Sequence, residues 1–230
     1  MALRSRLVIV GDSVAAGYGL PAGSSACTWP ALVDQRLRAA QLEVELRVSA
    51  LEGADTRYAL RRFERLVTRH EPDHVLLALG LNDAHPPGER TAISPAEYQQ
   101  NLFALVDRVL SIGALPLVAS VTPRRLTSGP ETNWSDLVEP YVAAAHELAR
   151  GCGLPWIDVF GRFLEQRDLW ALIPDGTHPA AEGHRLLAET LAPPLVDLLR
   201  SGAAAELCGP NRAAPSRTAE HRLYRSRCQT

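Results

Sequence analysis

A short apolar run near the N-terminus, Leu7 to Val10, ends directly in Gly11-Asp12-Ser13. Four consecutive aliphatic residues, most of them β-branched, predict a buried strand, and the small polar residues after them predict a turn at its carboxyl end. In an open parallel sheet the carboxyl ends of the strands border the ligand crevice. The sequence therefore predicts that Ser13 lies at that crevice, where a serine serves either turn formation or chemistry.

The same pattern recurs along the chain, where apolar segments alternate with amphipathic helices. Further strands are predicted over residues 42–48, 74–79, 114–121 and 156–159. A helix between them begins at the capping box Ser94-Pro95-Ala96-Glu97. Strands and helices that alternate at this spacing form parallel βαβ units, so we predict an α/β fold, a three-layer α/β/α sandwich around a parallel sheet of about five strands.

The regular pattern covers residues 1–200, which we expect to form one domain, since 230 residues with 46% hydrophobic content suffice for a sizeable core. The last helix begins near Pro179 and is expected to be broken or kinked at Pro193-Pro194. Beyond Arg200 the aliphatic periodicity ends. We therefore expect residues 201–230 to form a flexible C-terminal tail.

Charge and cysteine content exclude several functional classes. A formal net charge of −2 argues against a nucleic-acid partner. No apolar run is long enough for a signal peptide or a membrane span, so we expect a cytoplasmic protein without stable membrane insertion. All 24 basic side chains are arginine, which excludes a lysine Schiff base. The four scattered cysteines form no C-x-x-C pair and are expected to be reduced.

Polar residues follow three of the predicted strands, at Ser13, Gly53 and Asn82, and a fourth polar segment carries Asp175 and His178. A serine nucleophile needs a base, a carboxylate that orients the base, and donors for the developing oxyanion. His178 fits the role of the base and Asp175 that of its orienting carboxylate. The backbone N–H groups of Ser13 and Gly53 and the side-chain amide of Asn82 fit the role of oxyanion donors.

These residues resemble the GDSL or SGNH hydrolases, a family named after a Ser, a Gly, an Asn and a His from four sequence blocks. The blocks occur here in the family order, as Gly11-Asp12-Ser13, Gly53-Ala54, Gly80-Leu81-Asn82-Asp83 and Asp175-Gly176-Thr177-His178. The resemblance spans Leu7 to about Leu199. One departure lies in the second block, where Val48 occupies a position that is asparagine in many members.

The resemblance implies a flavodoxin-like sheet and the hydrolysis of acyl esters or thioesters of small molecules without a metal or a cofactor. It implies that Ser13, Asp175 and His178 are catalytic, with Ser13, Gly53 and Asn82 forming the oxyanion hole. His184 is predicted to be structural, because no His-Glu-x-x-His motif surrounds it.

The leading prediction is a serine esterase that hydrolyses carboxylic esters, short-chain ones first, through a covalent acyl-enzyme on Ser13. Two alternatives stay open. The same triad serves an acyltransferase or an acyl-thioesterase, and a catalytically silent ligand-binding module is possible on the same fold. The residues that bind the acyl group and the oligomeric state do not follow from the sequence.

Overall fold

Five parallel strands form a single sheet in the computed structural model, which describes residues 5–84, 93–125, 133–134 and 136–201. Their order across the sheet is β2-β1-β3-β4-β5, and every neighbouring pair is parallel. The strands are β1 (Ser5–Gly11), β2 (Val44–Ala50), β3 (His74–Ala78), β4 (Leu115–Ala119) and β5 (Trp156–Ile157). The predicted five-stranded parallel sheet is therefore confirmed.

Helices cover both faces of this sheet. In chain order they are α1 (Ser13–Ala16), α2 (Trp29–Ala39), α3 (Thr56–Arg61), α4 (Phe63–Leu66), α5 (Pro95–Ser111), α6 (Glu139–Cys152), α7 (Val159–Leu164), α8 (Leu169–Leu172) and α9 (Ala181–Ser201). Helix α9 packs against α2, α7 and α8, whereas α5 packs against α3 and α6. These two groups are the outer layers of the predicted α/β/α sandwich.

The central strands β1 and β3 form the middle of the core. Leu7, Val8 and Ile9 in β1 are fully buried, as are Val75 and Leu76 in β3, which is why these strands are apolar on both faces. The edge strand β2 is half-exposed. Because β1, β2 and β3 are neighbours and parallel, the segments that follow them, which carry the candidate site residues, lie at one edge of the sheet.

Helix α9 runs without a break from Ala181 to Ser201, through Pro193 and Pro194. The expectation of a broken helix was wrong. Both prolines lie on the exposed face, while the next residue, Leu195, is buried and continues the apolar stripe. A carbonyl that loses its donor on that face is accessible to water, so the prolines leave no buried acceptor without a partner. Neither α9 nor another helix of the described ranges is long and apolar enough to cross a membrane.

Of the two cysteines among the described residues, one differs from the expectation of reduced thiols. Cys27 is free and exposed, but Cys152, which is buried at the end of α6, is disulfide-bonded. The other two cysteines and the proposed tail after Ser201 lie outside the described residues.

Candidate active site

Ser13 is held in a tight turn at the carboxyl end of β1. It is the first residue of α1, and Asp12 caps this helix by accepting the backbone N–H of Val14 on Oδ1 at 2.9 Å. The carbonyl of Ser13 accepts the backbone N–H of Tyr18 at 2.9 Å. These contacts fix the serine where the sequence predicts it, at the edge of the sheet.

The carboxyl group of Asp12 is buried at the start of α1, and its pKa is influenced by the candidate base. Burial raises the pKa of Asp12 to about 6, against the opposing effects of the Val14 N–H and the positive charge of His178. Tyr18 and Gly19, which follow α1, lie directly against His178. The structure therefore brings the loop of Ser13 and the loop of His178 together.

Asp175 and His178 form a compact unit in the loop between α8 and α9. Oδ1 of Asp175 accepts the backbone N–H groups of Thr177 and His178 at 2.8 and 2.6 Å, and Oδ2 lies 2.7 Å from Nδ1 of His178. A carboxylate only accepts, so Nδ1 donates to it and Nε2 is left as the basic nitrogen. Partial burial alone would raise the pKa of Asp175, but these hydrogen bonds outweigh it and hold the pKa below its usual value.

The loop after α1 lies against the imidazole of His178. The ring of Tyr18 is tilted against that of His178 with their centroids 4.9 Å apart, and Gly19 contacts the Cβ of His178. Within the described part of the chain the hydroxyl of Ser13 makes no hydrogen bond. The bond between nucleophile and base is often long before substrate binds, so this geometry fits a resting serine enzyme.

The two predicted oxyanion donors outside α1 lie on loops that contact each other. Asn82 follows β3, and its Nδ2 donates to the carbonyl of Ala54 at 3.1 Å. This bond uses one of the two N–H groups of the amide and leaves the second for another acceptor. Gly53, which precedes Ala54, is exposed and has a φ of +71°. The structure therefore places Asn82 beside the Gly53 loop, as the sequence predicts.

One buried contact beside these donors was not predicted from the sequence. Asp83 is fully buried and accepts hydrogen bonds from the backbone N–H and the hydroxyl of Thr56. The residue belongs to the third sequence block, but its place in that block does not identify its partner. The partner of a buried carboxylate depends on tertiary contacts that local sequence does not specify.

His184 lies in the interior and makes a structural contact. It is fully buried, and its Nδ1 accepts the backbone N–H of Trp29 at 3.1 Å. Burial lowers the pKa of His184 to about 4. The ring is therefore neutral at physiological pH and links α9 to the start of α2.

A doubly wound parallel sheet with a Ser, His and Asp set at its carboxyl edge is typical of serine esterases. Residues 9–186 match the model of the GDSL-like Lipase/Acylhydrolase family. The chain therefore belongs to this family, and its class is that of the carboxylic ester hydrolases.

Individual relatives agree with this assignment. The "Thioesterase 1/protease 1/lysophospholipase L1" of Escherichia coli K12 is 28% identical over 193 residues, which cover 84% of each chain. An "Arylesterase" of Vibrio mimicus is 27% identical over 83% of this chain and 88% of its own. The crystal structure of a lipase/acylhydrolase from Enterococcus faecalis has a TM-score of 0.70 at 25% identity, and the match covers 84% of this chain and 96% of that chain.

Proposed function

We propose that this chain hydrolyses carboxylic esters of small molecules through a covalent acyl-enzyme on Ser13. The Ser13 hydroxyl attacks the ester carbonyl while Nε2 of His178 takes its proton, and Asp175 holds the imidazole in the tautomer that accepts it. Collapse of the tetrahedral intermediate releases the alcohol, which receives the proton from His178. Water, activated by the same imidazole, then releases the acid and restores the serine.

In this proposal the negative charge on the tetrahedral intermediate is met by three donors. They are the backbone N–H groups of Ser13 and Gly53 and the free N–H of the Asn82 amide. Donors that are fixed before the reaction cost no reorganisation when charge develops, which is the largest single contribution in many acyl-transfer enzymes.

The contact between Asp175 and His178 is the observation that carries the proposal. One carboxylate accepts both the ring and the backbone N–H of the histidine, and the loop that follows Ser13 lies against the same ring. A binding module has no need of an imidazole oriented in this way beside a buried serine. The catalytically silent alternative is therefore less well supported.

Thioester hydrolysis and acyl transfer use the same acyl-enzyme and differ only in the leaving group or the acceptor. The E. coli relative is named a thioesterase and the V. mimicus relative an arylesterase. We rank ester hydrolysis first, with acyl-thioester hydrolysis as the second candidate. Competition between an oxygen ester and the matching thioester for one enzyme sample would compare them directly.

The test is hydrolysis of p-nitrophenyl esters of increasing acyl length by wild type, Ser13→Ala and Ser25→Ala. Ser25 lies exposed in the same region of the chain, so its variant controls for a serine-to-alanine change outside the site. We expect turnover in wild type and Ser25→Ala and none above background in Ser13→Ala. Equal turnover in all three proteins would exclude the acyl-enzyme on Ser13. The preferred acyl length tests the expectation of short chains.

A further inference from the structure

The two loops proposed to supply the oxyanion donors are joined by neighbouring contacts. Asn82 donates to the carbonyl of Ala54, and the next residue, Asp83, accepts from Thr56. Two consecutive residues of one loop therefore hold two nearby residues of the other. The second contact is the more costly of the two, since it places a carboxyl group in the interior.

Asp83 is surrounded by neutral donors. The backbone N–H of Thr56 lies 3.2 Å from each carboxylate oxygen, and the Thr56 hydroxyl donates to Oδ1. Nδ2 of Asn101, on α5, donates to the hydroxyl oxygen of Thr56 at 3.0 Å. Because that oxygen already accepts from Asn101, its own hydrogen is directed to Asp83.

No basic side chain of the described residues forms an ion pair with Asp83. Burial raises the pKa of Asp83 to about 7, the hydrogen bonds from Thr56 lower it, and the charges of Asp55 and Asp12 raise it further. A buried acid held only by neutral groups costs free energy that an apolar residue of similar volume would not. A contribution to folding stability therefore does not explain why Asp83 occupies this buried position.

Gly53 shows what the contact achieves. The residue is exposed, and a side chain at its position would have no atom within 4 Å. Gly53 lies in a turn that the backbone N–H of Ala54 closes by donating to the carbonyl of Leu51. The residues after Gly53 join this turn to the Asn82 loop, through the contact of Ala54 with Asn82 and the contact of Thr56 with Asp83.

We propose that Asp83 is a positioning residue of the oxyanion hole, which through Thr56 fixes the backbone of Gly53 at a set distance from the Asn82 amide. The inference rests on the proposed function, because it takes Gly53 and Asn82 as the oxyanion donors. Loss of the contact leaves the donors in the protein but not at the required distance. A displacement of about 1 Å from the productive geometry costs up to about 100-fold in rate.

The experiment compares Thr56→Val with Thr56→Ser. Valine keeps the shape of threonine and removes the hydroxyl, whereas serine keeps the hydroxyl and removes a methyl group. We expect kcat for a p-nitrophenyl ester to fall by about 10-fold to 100-fold in Thr56→Val with little change in KM, and to return to near the wild-type value in Thr56→Ser. Asp83→Ala, which removes both acceptor oxygens, should behave like Thr56→Val.

Two further measurements separate positioning from folding. Active-site titration gives kcat per reactive serine. The rate at which a p-nitrophenyl phosphonate inactivates the enzyme reports on oxyanion stabilisation during attack by the serine alone, because no hydrolysis of an acyl-enzyme follows. The phosphonate rate should fall in parallel with kcat in Thr56→Val.

An unchanged kcat per titrated site in Thr56→Val, with only a lower melting temperature, would overturn the inference and leave the proposed function intact. A loss of activity in Thr56→Ser as large as that in Thr56→Val would also overturn it, since the hydroxyl would then be irrelevant. A wild type that neither turns over esters nor reacts with the phosphonate would overturn both the inference and the proposed function.

Discussion

Gly19 and His178 touch so closely that the contact allows no side chain on the glycine. A Cβ at Gly19 would lie 2.8 Å from the Cβ of His178 and 3.0 Å from the carbonyl oxygen of Pro179. The loop after α1, which carries Gly19, therefore packs directly against the candidate base, His178. The position of the imidazole depends on this loop as well as on its own hydrogen bonds.

A substitution at Gly19 should reduce activity more than stability. Gly19→Ala pushes the Cβ against His178, so we expect kcat for a p-nitrophenyl ester to fall by about 10-fold or more. Gly23→Ala is the matched control, because Gly23 also has a positive φ, +84° against +90°, but has no atom within 4 Å of the added Cβ. Both variants carry the backbone strain, and only the first displaces the base. Equal kcat values in the two variants would refute this account of the contact.

Asp175→Asn should leave the protein folded and reduce kcat steeply. An asparagine can donate to Nδ1 and so favours the wrong tautomer of His178, an effect that costs up to about 10⁴-fold in the known serine protease case. We expect a loss of at least about 100-fold, measured as kcat at saturating ester. Asp168→Asn is the control, because Asp168 caps the nearby helix α8 through Ala171 and asparagine caps a helix equally well. Similar losses in both variants would point to a general effect on the loop.

Asn82→Ala should lower kcat by about 100-fold to 1000-fold, since it removes one oxyanion donor. Part of this loss comes from release of the Ala54 carbonyl, which Asn82 also holds. A proline at Gly53 would be a less direct test, because the φ of +71° lies outside the range of proline. Steady-state kinetics with one ester suffices, and a higher KM at constant kcat would assign Asn82 to ground-state binding instead.

The pKa of Asp83 predicts a stability that declines as pH rises. In the folded protein its proton stays bound up to about pH 7, whereas in the unfolded chain it is lost near about pH 4. Between these values the folded state binds more protons, so the free energy of unfolding falls with rising pH and is constant above about pH 7. Asp83→Asn cannot titrate and lacks this contribution.

The measurement is urea unfolding of wild type and Asp83→Asn from pH 4 to pH 8. The stability of wild type relative to the variant should decrease over this range, by roughly 4 kcal/mol at most. The contribution of His184 is common to both proteins and cancels in the difference, whereas the charge of Asp12, which raises the pKa of Asp83, is part of the difference that is measured. A difference that is independent of pH would show that Asp83 does not titrate in this range.

The fold and most of the site residues follow from local sequence. Residues 7–10 and 75–78 are apolar because they belong to the central strands, and such a continuous apolar run can be recognised from the sequence alone. The contact between Asp175 and His178 could also be predicted from the sequence, since the two residues are only three positions apart. The catalytic roles, the oxyanion donors and the limits of the domain stay predictions.

The features that were not predicted from the sequence depend on tertiary structure. Pro193 and Pro194 are tolerated in α9 because they lie on its exposed face, and exposure is a tertiary property. Asp83 finds Thr56 only when two strand ends lie side by side. The disulfide bond of Cys152 is likewise not indicated by any local sequence motif.

The three hydrogen bonds between Asp175 and the segment 177–178 make the acid and the imidazole one rigid piece at the entrance to α9. A movement of this unit changes the distance from Nε2 of His178 to the hydroxyl of Ser13 but does not change the tautomer of the ring. The tautomer of the imidazole and its distance from the serine are thus set by separate parts of the molecule. Changes in the surrounding loops can adapt the enzyme to bulkier or smaller esters without altering the chemical character of its base.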